Sequence, residues 1–98
     1  MTSAIRAGMS GMAACRSMVA ATANNLANAN TPGYRAQRAH MTATDGGVRT
    51  DVRRADRPGV DIARELVDLR VAETGVRANA AVIRAEDERL GTILDVFA

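Results

Sequence analysis

Residues 60–97 read VDIARELVDLRVAETGVRANAAVIRAEDERLGTILDVF, and the spacing of their apolar side chains decides the fold. Positions 62, 66, 69, 73, 76, 80, 83, 87, 90, 94 and 97 alternate steps of four and three, and all are apolar except Glu73 and Asp87. A 3-4 repeat kept over this length predicts one helix of about 37 residues, roughly 55 Å long, with a coiled-coil seam through Leu66, Leu69, Val76, Ile83, Leu90 and Leu94. Asp61 is placed to cap its N-terminus, just after the break at Pro58-Gly59. A second stripe, Val67, Val71, Ala78, Val82, Ala85, Ile93 and Val96, lies beside the first. A single partner helix covers one seam only, so the remaining apolar surface predicts helices from other chains.

The partner within the chain is residues 4–29. Ile5, Met9, Met12, Val19, Ala23 and Leu26 follow the same steps, interrupted at Arg16, and Gly8, Met12, Cys15, Val19 and Leu26 make a second row. These predict a helix of about 26 residues, near 39 Å, with Ser3 as its N-cap and Leu26 in the seam. Thr31 precedes proline and is pushed out of the α region, so the helix stops there, and Pro32-Gly33 suits a type II turn. From Arg35 to Gly59 the chain is polar around Asp45-Gly46-Gly47. This connector reads either as a loop or as a hairpin with strands near 36–44 and 48–53.

The expected fold is therefore mainly α: two long terminal helices paired as a coiled coil, with a short loop or β-hairpin between them. Residues 1–34, 35–59 and 60–98 form one domain. Composition agrees. Of 98 residues, 47% are hydrophobic, but twenty are Ala, against one Tyr, one Phe and no Trp. Alanine favours helix and close helix approach, whereas a compact core needs larger side chains. All thirteen basic residues are Arg, and the net charge is +2. Residues 1–34 carry two Arg and no acid, while residues 60–98 carry five Arg against eight acids, opposite signs that suit partners in one bundle.

Four amides crowd the end of the first helix, in the stretch ANNLANANTPGY of residues 23–34. Asn30 fits a frayed end. Asn24 and Asn28, four apart inside the helix, lose helix propensity unless they meet a partner, and they read as polar contacts that set register between packed helices. Cys15, the one cysteine, reads as a small helix-face hydrophobe, and no disulfide within the chain and no Cys/His metal cluster can form. His40 lacks ligand-type neighbours. Glu86-Asp87-Glu88 point about 100° apart on a helix and do not converge as a catalytic or metal site. Arg53, Arg54 and Arg57 are interleaved with Asp51 and Asp56 and lack aromatic neighbours, which argues against nucleic acid despite a pI near 9.5. No phosphate loop or catalytic constellation is present, so no enzyme, cofactor or small-molecule substrate is expected. No apolar run approaches a membrane span of about 20 residues. Met12–Cys15 faintly resembles a lipoprotein box, and Val19–Ala23 a signal-peptidase site. A single Arg6 and breaks at Gly8, Ser10 and Gly11 nevertheless argue against a cleaved signal.

The run Asn24–Tyr34 closely resembles the N-terminal signature of bacterial flagellar axial proteins, the rod, hook and hook-associated subunits, with its core like NNLANxxTPGY. The C-terminal stretch is similar to the family's C-terminal helix at Val60-Asp61, Glu65–Leu69, Ala78-Asn79, Val82-Ile83 and Leu90–Leu94. It departs at Glu73–Arg77, where the family commonly has a Gln-Arg-Ala-aromatic run; a mid-helix Gly75 costs about 1 kcal/mol relative to Ala. With only about 25 residues between the helices, the likeness is to the small proximal-rod proteins. The resemblance implies a structural subunit of the flagellar basal-body rod whose helices pair into the inner axial tube. It implies export unfolded by the flagellar type III apparatus without a cleaved signal, and assembly in the periplasm with copies of itself and other rod and hook proteins. The site residues it carries over are Asn24, Asn25, Asn28, Thr31, Pro32, Gly33, Tyr34 and Asn79, as register-setting contacts between subunits. The alternative is a coiled-coil regulatory or adaptor module with a closed oligomeric state.

Overall fold

The computed structural model describes residues 2–97. Helix α1, Ser3–Ala27, opens on Thr2. The Thr2 backbone is extended (φ −75°, ψ 161°), and its Oγ1 accepts a hydrogen bond from the Ile5 N–H at 3.2 Å. Thr2, rather than the expected Ser3, is thus the N-cap, because its hydroxyl is the one held over the first turn. Asn28 closes the helix, and Gly33 (φ 77°) allows the following turn, in which the Tyr34 N–H donates to Thr31 O at 3.3 Å.

The connector is a hairpin and not a loop. Strands β1, Gln37–Thr44, and β2, Gly47–Arg54, pair antiparallel from Gln37↔Arg54 to Thr44↔Gly47. Asp45 and Gly46 form the two-residue turn, with Gly46 at φ 84°. At its base the Ala55 N–H donates to Ala36 O at 2.8 Å, and the Gly59 N–H to Tyr34 O at 2.9 Å. Helix α2, Ile62–Phe97, then begins with the Arg64 N–H donating to Asp61 Oδ1 at 3.2 Å, as the sequence predicts.

The two helices run antiparallel, and small residues mark where they touch. A Cβ added to Gly8 would fall 2.8 Å from Ile83 Cγ1, one on Gly11 2.5 Å from Asn79 Oδ1, and one on Gly75 2.5 Å from Cys15 Sγ. This closeness selects the face that α2 turns inward. Its buried and half-buried positions are 65, 68, 69, 72, 75, 76, 79, 80, 83, 86 and 90. Leu69, Val76, Ile83 and Leu90 belong to the expected seam. Elsewhere the seam is displaced by one residue, to Glu65, Ala72 and Glu86 in place of the exposed Leu66, Glu73 and Asp87, while Ala80 stays half-buried beside Asn79. Leu66 and Leu94 are 51% and 67% exposed. On α1, Gly8 and Cys15 of the second row lie against α2, while Met9 and Ala23 of the first row face outward.

The hairpin lies along another face of α1. The buried apolar residues among those described are Ala14, Ala21, Ala36 and Ala72, so the interior is made of methyl groups. The result is a rod of 62 × 23 × 14 Å with a radius of gyration of 17.2 Å. A compact domain of this length would have about 13 Å.

Candidate functional site

The signature stretch is built around Asn25, which is fully buried. Its Oδ1 accepts from the Gln37 N–H at 2.7 Å and from the Tyr34 hydroxyl at 3.0 Å, while its Nδ2 donates to Gln37 O at 2.8 Å. One amide side chain thus pairs with both backbone groups of a strand residue, as a neighbouring strand would. Ser10 does the same at the other end of the hairpin. Its Oγ accepts from the Val48 N–H at 2.8 Å and donates to Val48 O at 2.9 Å. A Cβ on Gly47 would fall 2.7 Å from that Oγ, so glycine is what lets the hairpin approach. Two α1 side chains, about 22 Å apart along the helix, therefore satisfy the open edges of a two-stranded sheet.

The other amides act locally. Asn24 is exposed, with its Nδ2 3.4 Å from Gln37 Oε1. Asn28 Nδ2 donates to Asn24 O at 2.9 Å, and its Oδ1 accepts from the Thr31 hydroxyl at 3.1 Å. The hydrogen bonds of Asn24, Asn25 and Asn28 all run to residues 24–37, and none ties α1 to α2. Asn79 is the amide at the helix pair: it lies over Gly11, with its Nδ2 bonded to Gly75 O at 2.8 Å. Thr31, Pro32 and Gly33 are exposed, and Tyr34 is half-buried with the Arg54 guanidinium 5.6 Å from its ring centre.

A buried ion pair joins hairpin to α2. Glu65 is fully buried and accepts from Arg38, whose guanidinium also lies 3.6 Å from Asp68. Oε2 of Glu65 has no hydrogen-bond partner. Beside this pair, Met18, Thr22, Ala39, His40 and Arg64 help line a cleft of about 290 Å³. Sequence reasoning missed Ser10, Gln37, Arg38 and Ala72. Ser10 carries no pattern of its own, since its partners are backbone groups distant in sequence, and Gln37 carries none, since Asn25 holds it by its backbone. At the far end, Glu86 is paired with Arg89. The Arg89 hydrogen bond, against some desolvation, holds its carboxyl below the usual carboxylate range. Among the described residues no group of three or more His, Cys, Asp or Glu is placed to hold a metal, and no helix is long and apolar enough to cross a membrane.

The outer face of α2 is the largest unpaired feature. Val67, Val71, Val82 and Val96, all on the second stripe, are exposed, Val71 by 56% and Val96 by 76%. With Ala78 and Ala85 they form an apolar band about 43 Å long on the side away from α1.

Residues 5–35 match the family model described as flagella basal body rod protein. The match supports the rod and axial protein family. No curated protein matches the chain. The matched segment comprises nearly all of α1, the Thr31–Tyr34 turn and Arg35, the residue that bridges to Gly59. Of the latch that the Asn25 amide forms with Tyr34 and Gln37, only Gln37 lies outside the match. The rod family is structural rather than enzymatic, and its place is the flagellar basal body.

Proposed function

We propose that this chain is a structural subunit of the flagellar basal-body rod that polymerises through its two helices into the axial tube. One observation carries the reading: the free chain leaves many large apolar side chains exposed, among them Leu66, Val67, Val71, Val82 and Leu94. It exposes 6787 Å², whereas a compact monomer of 10.3 kDa exposes about 5,400 Å². The apolar band of α2 is the wrong surface for a molecule that works alone. Neighbouring copies lying side by side would bury it, and association would supply the core that four alanines do not. The partners are other copies of the chain and other rod and hook proteins. Delivery by the flagellar export apparatus, without a cleaved signal, and assembly in the periplasm belong to the same reading.

A concentration series followed by circular dichroism and light scattering tests it. Open-ended growth with a gain of helix supports a rod subunit. A stable small oligomer, helical at every concentration, would replace it with the closed coiled-coil module, since only a non-closing contact makes filaments. Val71→Asp and Val82→Asp on the outer band should block growth while leaving the monomer folded.

A further inference from the structure

The two edges of the hairpin are finished differently. In an antiparallel pair, residues whose backbone groups face the partner strand alternate with residues whose groups face outward. Gln37 and Val48 are outward residues, since Asn25 and Ser10 hold their N–H and C=O groups. By the register, the other outward residues are Ala39, Met41 and Ala43 on β1 and Thr50, Val52 and Arg54 on β2. The N–H and C=O groups of Ala39, Met41 and Ala43 have no partner among the described residues.

Charge guards only one of these edges. β2 carries exposed Arg49, Asp51, Arg53 and Arg54, the kind of charged edge that discourages another strand. β1 carries one fixed charge, Arg38, and Glu65 of α2 engages it. Met41, in the middle of the free run, is 42% exposed. The cleft of about 290 Å³ borders Gln37–His40 and leaves open space between β1 and Arg64 and Asp68 of α2.

The free run is also self-complementary. When a second copy is laid antiparallel about a two-fold axis at Met41, Met41 meets Met41, and Ala39 meets Ala43 in both directions. Every outward N–H and C=O of the run then finds a partner. His40 falls opposite Thr42 and Arg38 opposite Thr44, so no like charges face each other. The run ends where such a pairing must end. At Gln37 the backbone is already held by the Asn25 amide, and the residue that would lie opposite is Asp45, where the second copy turns back. The exposed Asp45 carboxylate thereby comes to the mouth of the cleft lined by Arg38 and Arg64, the latter 60% exposed.

We propose that the β1 edge is a docking surface for a second copy of this chain, joining two hairpins into one four-stranded sheet. Main-chain hydrogen bonds carry the contact, as in strand addition to any open sheet edge. A sheet of two strands is marginal by itself, and the second hairpin supplies the missing neighbours. The contact is isologous and closes at two copies. Its two members point in opposite directions, so the pair stands outside a tube whose subunits all run one way and competes with growth. The inference does not rest on the polymerising reading.

The test uses the chain carrying Val71→Asp and Val82→Asp, whose outer band is closed to growth. Sedimentation over a concentration series should show monomer and dimer. Amide exchange at Ala39, Met41 and Ala43 should slow as the dimer accumulates, while Thr50 and Val52 keep their rates. Met41→Pro removes an outward N–H that the hairpin itself does not use, so circular dichroism should stay unchanged while the dimer dissociation constant rises about tenfold or more. Met41→Thr keeps that N–H and should dimerise like its parent. The pairing is overturned by a chain that stays monomeric at every concentration, by a dimer whose three amides exchange as fast as the monomer's, or by a dimer that Met41→Pro leaves intact. Filaments formed despite both Asp substitutions would count against the outer-band contact instead, and the three amides would still decide the pairing.

Discussion

Asn25 shows how one side chain can fix the path of a chain. Replacing it by Ala would strand the Gln37 N–H and C=O and the Tyr34 hydroxyl in a partly dry site, where each unpaired group costs about 1–3 kcal/mol. Asn25→Ala should therefore lower unfolding free energy by about 2–4 kcal/mol in urea titrations of the dilute protein. Asn24→Ala, one residue away and exposed, should stay within about 0.5 kcal/mol. The pair of substitutions separates the latch from the general effect of removing an amide. Arg38 poses the complementary problem, because it alone faces a fully buried carboxylate. Arg38→Met should cost about 3–5 kcal/mol by leaving Glu65 uncompensated, and the double variant Arg38→Met, Glu65→Met should recover most of the loss. A double-mutant cycle on unfolding free energies measures this. From the sequence alone, Asn25 stood out as a poor helix former and, through the family resemblance, as a register contact between subunits; its bonds within the chain were not legible, since its partners lie across a turn that pattern reading does not fold.

Both helices were legible, and their ends to within one or two residues, because periodicity and capping chemistry are local. The hairpin was visible as an option through Asp45-Gly46-Gly47, and its docking was not, because Ser10 and Val48 are distant in sequence. The seam of α2 was half legible for a physical reason. Choosing the largest apolar residues points to Leu66, whereas helices that cross at glycines bring backbones so close that alanine and asparagine fit better. Gly75 makes the point testable. Helix propensity alone predicts that Gly75→Ala stabilises by about 1 kcal/mol. The structure predicts the opposite, a loss of about 1–3 kcal/mol, because the new methyl would meet Cys15 Sγ. Adding Cys15→Ala should remove the penalty, and thermal unfolding of the two variants decides between these accounts.

At the scale of the whole molecule the inner and outer faces of α2 do different jobs, and substitutions should sort accordingly. Leu69→Asp and Ile83→Asp, on half-buried positions facing α1, should weaken the monomer itself by about 2–4 kcal/mol as well as any assembly. Val71→Asp, on the outer band, should leave the monomer's urea midpoint within the range of a surface change, about 0.5 kcal/mol, and act on association alone. Sedimentation at several concentrations, set beside urea titration, distinguishes the two classes. The antiparallel register has a further consequence, in time rather than in space. The Asn25–Gln37 bond closes a span of 12 residues and the Ser10–Val48 bond one of 38. The contact of Gly8 with Ile83 waits on a span of about 75, with a larger loss of loop entropy. Residues 3–54 hold a set of short closures and the Arg38–Glu65 pair, a span of 27, ties the start of α2 to them, so the later part of α2 is what should order last and loosen first. Amide hydrogen exchange should accordingly run fastest over residues 91–96, slower along the rest of α2, and slowest where α1 and the hairpin hold each other. A chain built this way keeps its assembly surface on its most reversible element, so order in α2 can be gained at the moment a neighbour arrives.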